Sequence, residues 1–280
     1  MVANEEAASH WAQRSLSSQQ PTTLRHSSFE ASDGVGLLTL RRPEVRNALS
    51  GVEMIRELAD TLEPLSSRTL GALVVTGEGS AFSAGGNVKD MVAREGLFAP
   101  ASEPDLIDAY RTGVQRLLQL LYRCEMVTFA AVNGPAVGAG LDLALACDLC
   151  YCSPSATFSA PFVSIGLVPG DGGLPLLVEA VGRQRAAELL FTPRRWNADE
   201  ALRFGLVLEI VPSDQLLDHV LGLANKVASQ PRQALAFTKQ LLRVYFGDLD
   251  RRVSELSAAF QAIAQSGEEH RRAVEGLSRD

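Results

Sequence analysis

Residues 127–148, VTFAAVNGPAVGAGLDLALACD, decide the fold of this 280-residue chain. The first six residues are mostly apolar and strand-forming, and a glycine-rich turn leads from them into a helical pattern between Gly138 and Ala146. Glycine and alanine in such a turn let backbone N–H groups approach a ligand without obstruction by side chains. The first amides of the helix have no intrahelical partner and lie at its positive end. The turn therefore predicts a site for an oxygen that carries negative charge.

A second glycine-rich segment, AFSAGGNVKDM at residues 81–91, also follows a predicted strand, which ends at Thr76. Two such loops that face each other offer two N–H donors to one oxygen, which is the arrangement of an oxyanion hole. The pair of loops therefore favours an enzyme that stabilises a charged oxygen over a protein that uses its glycines only in tight turns.

Short apolar strands alternate with helical patterns along most of the chain, which predicts an α/β architecture with buried strands. The predicted strands cover residues 35–40, 72–76, 127–132, 148–152 and 207–211, and the predicted helices cover 52–65, 105–121, 138–146 and 174–181. From Asn197 the pattern becomes helical: Asn197 and Glu200 favour a helix start, and Gly205 favours its end. Further helices are predicted from Ser213, Pro231 and about Asp250. Their apolar faces must be covered by the core or by another subunit.

The composition excludes several classes of function. A net charge of −7 argues against nucleic acid as a partner, because phosphate binding needs a basic surface. No stretch approaches the roughly 18 consecutive apolar residues of a membrane span. Residues 1–28 are polar and lack the basic start and apolar centre of a signal peptide, which predicts a poorly ordered tail and a cytoplasmic protein. The CxxC pair of Cys147 and Cys150 has no second pair or nearby histidine, so no metal site is predicted.

Four segments, in this order, resemble the enoyl-CoA hydratase/isomerase (crotonase) superfamily. They are RRPEVRNALS at 41–50, AFSAGGNVKDM at 81–91, NGPAVGAGLDLALACD at 133–148 and FSAPFVSIGLVPGDGG at 158–173. The resemblance covers the chain from about Phe29 to the end. It implies a spiral of ββα turns over residues 29–212 and a C-terminal helical trimerisation region over residues 213–280. It also implies an acyl-CoA substrate, no cofactor apart from the coenzyme A of that substrate, and a homotrimer or a dimer of trimers.

The same resemblance assigns roles within these segments. The amides of Gly86 and Ala139 are expected to form the oxyanion hole for the thioester carbonyl. The resemblance also implies that coenzyme A binds at the positions of Arg46, Ala48, Ala84 and Lys89.

Asp142 is the best candidate for the acid or base. It follows Ala139 by three residues, so its carboxylate shares a helix face with the donor amide and lies beside the carbon that exchanges a proton. The helix dipole alone also favours an aspartate in a first helical turn. Hydratases of the resembled family carry a glutamate at this position, so the shorter side chain is a departure.

A second departure is Phe162, which stands where those hydratases carry another glutamate. Phe162 can neither activate water nor exchange a proton, and we count it among the substrate-binding residues. Asp171, in the VPGDGG loop that follows, is a candidate for the missing role. Some isomerases of the family carry an acid one position earlier, where Gly170 stands. A polar residue in a glycine-rich turn explains Asp171 equally well.

Histidine positions disfavour other chemistry. Ser83 in AFSAG would need a histidine to act as a hydrolase nucleophile, and no histidine lies between residues 29 and 212. The dehalogenase branch of the resembled family also needs a histidine that these segments lack. Three interpretations stay open: a hydratase in which Asp142 and Asp171 share the work, an isomerase or other enzyme with one base, and a non-catalytic acyl-CoA binding protein.

Overall fold

The structure is a computed structural model that describes residues 22–65, 69–99, 102–246 and 251–277. Its strands are β1 (Thr22–Thr23), β2 (Ser27–Ser32), β3 (Val35–Leu40), β4 (Ala72–Gly77), β5 (Val127–Val132), β6 (Ala136–Val137), β7 (Leu149–Cys152), β8 (Thr157–Ser159), β9 (Trp196–Asn197) and β10 (Glu209–Ile210). Its helices are α1 (Val52–Leu62), α2 (Val88–Ala93), α3 (Glu103–Thr112), α4 (Val114–Arg123), α5 (Ala139–Leu145), α6 (Leu174–Phe191), α7 (Ala198–Phe204), α8 (Leu216–Ala228), α9 (Arg232–Phe246), α10 (Arg251–Ser266) and α11 (Glu268–Leu277). The α/β class predicted from the sequence is confirmed.

The larger sheet has the strand order β1-β2-β3-β4-β5-β7-β10. The first three strands pair antiparallel, and every pairing from β3 to β10 is parallel. Leu37, Val74 and Phe129 lie side by side on β3, β4 and β5. Because helices cover both faces of these central strands, their residues are almost continuously apolar rather than alternating.

A hydrophobic core lies on each face of this sheet. Leu38 and Val75 point to the core that contains α1, α4 and α5. Leu37 and Val74, their neighbours along the strands, point to the opposite core, which contains Val220 of α8. This alternation follows from the two-residue period of a strand.

A smaller sheet, in the order β6-β8-β9, positions the two glycine-rich loops. The chain leaves the large sheet at β5, joins the small sheet at β6, and returns through α5 to the large sheet at β7 before β8. Ser83 forms a parallel bridge to Ala136, with hydrogen bonds from Ser83 N to Pro135 O (3.1 Å) and from Val137 N to Ser83 O (3.0 Å). The small sheet therefore joins the loop at 81–86 to the start of α5.

The tail predicted for residues 1–28 needs a correction where the structure describes it. Residues 1–21 lie outside the described residues, whereas residues 22–28 contain β1 and the start of β2. Ser27 is fully buried and its hydroxyl donates to Glu57 Oε1 at 2.6 Å. The backbone N–H of Arg25 donates to the same carboxylate at 2.9 Å. These hydrogen bonds to α1 fix residues 22–28, although their polar composition predicted a poorly ordered tail.

Several predicted helix ends also differ from the structure. The helix predicted over 105–121 is divided at Gly113, whose ψ of −111° is not helical. The helix predicted over 174–181 does end at Gly182, whose φ of 74° and ψ of 160° are not helical, but a second helical segment that was not predicted follows to Phe191. The helix predicted from Ser213 begins at Leu216 instead, after Gln215. Helix α11 was not predicted. The capping box of Asn197 with Glu200 and the left-handed Gly205 are confirmed.

The C-terminal helices pack on the rest of the chain. Helix α8 covers β4 and β5, α10 packs on α3, and α11 packs on α2. The division of the chain at residue 212 stays a prediction. Large apolar side chains remain exposed on α9 and α10, namely Phe237, Leu241, Leu242, Val244, Tyr245, Leu256, Phe260 and Ile263. No helix among the described residues is long and apolar enough to cross a membrane, and cytoplasmic residence stays a prediction.

Candidate active site

The two glycine-rich loops border an apolar cavity of about 210 Å³. Helices α2, α3 and α10 and the segment from Pro161 to Asp171 form its other walls. The lining residues are Leu49, Ala84, Gly86, Val88, Met91, Leu97, Phe98, Tyr110, Val114, Val137, Gly138, Ala139, Pro161, Phe162, Ile165, Leu167, Asp171 and Gln261. Asp171 is the titratable carboxyl among them, which makes this the place to look for acid–base chemistry.

Gly86 and Ala139, the predicted oxyanion donors, both line the cavity. Neither amide donates a hydrogen bond to any described residue. Ala139 is the first residue of α5, so its N–H has no partner within the helix. The two loops touch: a Cβ on Gly85 would lie 2.2 Å from Val137 O and 3.1 Å from Ala139 N. Only glycine at this position allows that approach.

Ser83 is a structural residue of this site. Its hydroxyl donates to Asn47 O at 2.7 Å and accepts from Gly85 N at 3.2 Å. Its carbonyl oxygen lies 2.3 Å from the position of a Cβ on Gly140, in the first turn of α5. The side chain therefore fixes the glycine-rich loop and is fully buried, which agrees with the expectation that Ser83 is no nucleophile.

Asp142 is buried in the first turn of α5, with 4% of its surface exposed. Its carboxyl group lies against Gly173, whose backbone N–H donates to it, and its Oδ2 has no hydrogen-bond partner among the described residues. Burial raises the pKa of Asp142 well above its usual value, and the negative charge of Asp171 raises it further. The hydrogen bond from the Gly173 N–H lowers the pKa of Asp142.

Asp171 has 6% of its surface exposed and lines the cavity. Burial raises the pKa of Asp171 to about 7. Two buried carboxyls that repel each other cannot both ionise readily, so near neutral pH the pair keeps one proton. A neutral acid and a carboxylate base that influence each other's ionisation are the groups that a proton transfer needs.

The residues predicted to grip coenzyme A divide into two groups. Ala84 lines the cavity, and its N–H donates to Arg46 O at 2.9 Å. Arg46, Ala48 and Lys89 do not line the cavity: the Arg46 and Lys89 side chains are exposed, and Ala48 is buried. Each follows or precedes a lining segment along the chain, so a binding role for these three stays a prediction.

Phe162 is buried in the cavity wall. A Cβ added to Gly138 would lie 3.6 Å from its ring. The left-handed φ of 52° at Gly138 turns the chain into α5. An apolar ring therefore faces the start of the helix that carries Asp142.

Sequence reasoning missed the wall formed by α3 and α10. Tyr110 and Gln261 line the cavity and hydrogen-bond to each other, with Gln261 Nε2 donating to the phenol oxygen at 2.8 Å. They are 151 residues apart in the chain, and neither belongs to a glycine-rich segment. Among the described residues, no group of three or more His, Cys, Asp or Glu side chains is arranged to hold a metal ion.

A model of the family described as enoyl-CoA hydratase/isomerase matches residues 30–279. The chain belongs to the enoyl-CoA hydratase/isomerase family. A crystal structure of an enoyl-CoA hydratase/isomerase from Pseudoalteromonas atlantica T6c superposes with a TM-score of 0.79 at 31% identity, covering 91% of this chain and 97% of that one. The crotonase-like fold expected from the sequence is therefore confirmed.

Curated relatives of this enoyl-CoA hydratase/isomerase family member carry more than one name. A probable enoyl-CoA hydratase of Rhizobium meliloti is 37% identical over 75% of this chain and 78% of its own length. A 4-chlorobenzoyl coenzyme A dehalogenase of Arthrobacter is 34% identical over 78% of both chains. No histidine lines the cavity described above. The chain therefore belongs to an enzyme family whose named members act on coenzyme A thioesters by more than one reaction.

Proposed function

We propose that this protein is an enoyl-CoA hydratase that adds water to the α,β double bond of an acyl-CoA thioester. The observation that carries the proposal is a pair of buried carboxyls: Asp171 lines the apolar cavity, and Asp142, which does not line it, lies in the first turn of the helix that begins at the lining residue Ala139. Hydration needs one group to activate water and another to give a proton to the α-carbon. The Rhizobium meliloti relative, described as a probable enoyl-CoA hydratase, supports the same reaction.

The proposed reaction begins when Asp171, as a carboxylate, takes a proton from water, whose oxygen bonds to the β-carbon. The electrons of the double bond move onto the thioester oxygen and form an enolate. The amides of Gly86 and Ala139 stabilise that oxygen, because each lacks a competing partner and the second lies at a helix N-terminus.

Asp142 then gives its proton to the α-carbon, and the thioester carbonyl forms again. Burial raises the pKa of Asp142, and the negative charge of Asp171 raises it further, so an ionised Asp171 favours the protonated form of Asp142 that this step needs. The product is a 3-hydroxyacyl-CoA. At the end Asp171 holds the proton from water and Asp142 is ionised, so one proton transfer between them or through solvent resets the pair.

One observation favours a second candidate, a double-bond isomerase with a single base. Phe162 occupies the position of a hydratase glutamate, and its buried ring excludes water from that part of the wall. In this reaction a carboxylate removes a proton from one carbon of the bound acyl group and returns it to another, without water.

Mass spectrometry of the product separates these reactions. The purified protein is incubated with short, medium and aromatic enoyl-CoA thioesters. A gain in mass of one water molecule supports the hydratase. An unchanged mass with a shifted double bond, read by NMR, supports the isomerase. Retained binding of the thioester without either product identifies a non-catalytic acyl-CoA binding protein.

We also propose that the protein assembles as a homotrimer or as a dimer of trimers. The exposed apolar side chains of α9 and α10 would otherwise lie in water, and patches of this kind mark protein interfaces. Light scattering at micromolar concentration tests this assembly, and the mass of a single chain would contradict it.

A further inference from the structure

The loop that carries Asp171 has few side chains of its own to hold it. It reads VPGDGG at residues 168–173 and contains a left-handed glycine, Gly172, with a φ of 96°. The carboxylate of Asp171 accepts no hydrogen bond from any described residue. The direction in which this carboxylate points therefore depends on its backbone, and so on whatever fixes the loop.

Two buried glutamines from distant helices fix the loop. Gln261 of α10 accepts a hydrogen bond from Val168 N at 3.2 Å. Gln115 of α4 donates one to Gly170 O at 2.8 Å and another to Ser254 O of α10 at 2.9 Å. Gln261 and Gln115 are 2% and 3% exposed, so water does not compete for these bonds.

The side chain of Gln261 also packs directly on the loop. A Cβ on Gly170 would lie 2.4 Å from Gln261 Cβ and 2.5 Å from Gln261 Cγ. A residue with a side chain at position 170 would therefore force the loop and α10 apart. Gln261 therefore holds the loop both by its hydrogen bond to Val168 N and by close packing on Gly170.

Tyr110 fixes the orientation of the Gln261 amide. The phenol has a single proton, which it donates to Gln265 Oε1 at 3.0 Å. It must therefore accept from Gln261, whose Nε2 lies 2.8 Å away. With its NH₂ group on the phenol, Gln261 presents its Oε1 to Val168 N–H, and the network specifies one orientation.

We propose that Gln261 is a positioning residue that holds the Asp171 loop so that the carboxylate faces the cavity, which makes helix α10, near the C-terminus, part of the active site. The proposal rests on the role of Asp171 in the proposed water addition. It assigns a function in catalysis to a residue 90 positions away from the aspartate (261 − 171 = 90). Gln115, which hydrogen-bonds to Gly170 O of the same loop, is the second positioning residue.

The size of the expected effect follows from the geometry of proton transfer. A displacement of about 1 Å in a reacting group costs roughly 100-fold in rate. A glycine-rich loop that loses one of its two anchors gains conformations in which Asp171 does not face the substrate. The loss should therefore fall on kcat, while the apolar walls that bind the acyl group stay in place.

Two methionine substitutions and one control on the same helix test the proposal. Gln261→Met keeps the length of the side chain and removes both polar contacts. Gln115→Met does the same at a residue that does not line the cavity. Ser266→Ala is the control on the same helix, because the Ser266 hydroxyl donates to Ala262 O of α10 and belongs to neither the Tyr110 network nor the loop contacts. Circular dichroism and thermal unfolding establish that each variant is folded.

We expect Gln261→Met and Gln115→Met to lower kcat for water addition by roughly 10- to 100-fold with KM nearly unchanged. Ser266→Ala should keep near-normal turnover. A loss in Gln261→Met that falls on KM alone would show only a contact with the acyl group and would overturn the proposal. Equal effects of Gln261→Met and Ser266→Ala would also overturn it. If Gln261→Met does not fold, Gln115→Met decides on the same criteria.

A titration of Asp171 makes the test independent of turnover. The carboxyl is followed by NMR in protein with ¹³C-labelled aspartate and assigned with Asp171→Asn. The titratable groups near it are Asp142 of α5 and Tyr110 of α3. A loosened loop exposes the carboxyl to water, so its pKa should fall from about 7 towards its usual value in Gln261→Met. An Asp171 pKa that is the same in Gln261→Met and the wild type would refute the positioning role. A wild-type protein that adds no water would refute only the proposed function.

Discussion

The carboxyl group of Asp142 occupies the space in which a side chain on Gly173 would lie. A Cβ on Gly173 would be 2.0 Å from Asp142 Cγ and 2.1 Å from its Oδ1, far inside contact distance. The first turn of α5, which carries Asp142, is therefore in direct contact with the loop that carries Asp171. The absence of a side chain at position 173 leaves room for the Asp142 carboxyl against this loop, where the charge of Asp171 raises its pKa.

Gly173→Ala should disable the site and destabilise the fold. The added methyl group must push Asp142 away from the loop, because the neighbouring α5 backbone is packed against Ser83. We expect a loss of about 1–3 kcal/mol in the free energy of unfolding and at least a tenfold loss of turnover. Chemical denaturation and the enoyl-CoA assay measure the two effects.

Gly222→Ala is the matched control for that substitution. Gly222 lies within α8, and a Cβ there meets no atom within 4 Å. Alanine should stabilise this helix by about 0.5–1 kcal/mol without changing turnover. If Gly173→Ala behaves like Gly222→Ala, the contact between Asp142 and Gly173 has no functional importance.

Asp142→Asn and Asp171→Asn should each lower turnover by roughly 100- to 10,000-fold, which is the usual contribution of a general acid or base. Asparagine keeps the shape of each side chain and removes its ability to exchange a proton. Steady-state kinetics and thioester binding are measured together. Near-normal turnover in Asp142→Asn with unchanged binding would refute the assignment, and normal turnover in both variants would favour the acyl-CoA binding protein.

The relative importance of the two aspartates shows what the sequence can and cannot predict. The sequence ranks Asp142 higher, because helix spacing ties it to Ala139 whereas Asp171 lies in a glycine-flanked turn. The structure instead shows the turn held by Gln115 and Gln261, with Asp171 in the cavity wall. These anchors come from other parts of the chain, and no local pattern around position 171 predicts them.

Local signals explain why other parts were predictable. The strands at Val35–Leu40 and Val127–Val132 were predicted with their observed ends, because continuous apolar runs identify buried parallel strands. The break at Gly113 could not be predicted, since the apolar spacing continues from α3 into α4 and glycine is tolerated in helices. The wall made by Tyr110 and Gln261 depends on how α3 and α10 pack, which a single sequence does not record.

Water addition should depend on pH with an apparent pKa near 7 in kcat/KM. Burial raises the pKa of Asp171 to about 7, so the base is protonated and inactive below that pH. We expect kcat/KM to fall about tenfold for each pH unit on the acid side. A profile that is flat from pH 5 to pH 8 would exclude Asp171 as the base.

The same pKa predicts how stability changes with pH. Asp171 ionises near its ordinary pKa of 3.8 in the unfolded chain and near 7 in the folded one, so the folded state binds more protons between these values. Stability from this group is complete below about pH 4 and is lost as the pH rises to about 7. Asp171→Asn should therefore gain stability relative to the wild type over this range, by up to roughly 4 kcal/mol. Denaturation at pH 4.5 and pH 7.5 tests the sign.

Ala139→Pro tests the oxyanion hole with little risk to the helix. Ala139 is the first residue of α5, where proline is tolerated because the missing N–H has no helical partner. The loss of one oxyanion donor should cost roughly 100- to 1,000-fold in kcat. Ala198→Pro makes the same change at the start of α7, away from the cavity, and should keep turnover. Equal activity of the two variants would show that the Ala139 amide does not stabilise the enolate.

Phe162→Glu asks whether the site accepts the carboxyl that hydratases of the family carry at this position. Phe162 lines the cavity near Gly138, so a glutamate there would face the same space as Asp171. Its apolar surroundings should raise its pKa and favour the neutral acid. In the otherwise wild-type protein, we expect faster water addition, read by the mass of the product.

The decisive form of this experiment places Phe162→Glu in the Asp171→Asn background. If Asp171 does the work of the missing glutamate, the new carboxyl should restore water addition by at least tenfold over Asp171→Asn alone, because it supplies a proton-transfer group to the same cavity. Phe162→Gln in that background has the same shape and cannot exchange a proton, so it should restore nothing. If Phe162→Gln and Phe162→Glu restore water addition equally, the effect comes from polarity or space and not from proton transfer. If Phe162→Glu restores nothing, Asp171 does not do the work of the hydratase glutamate.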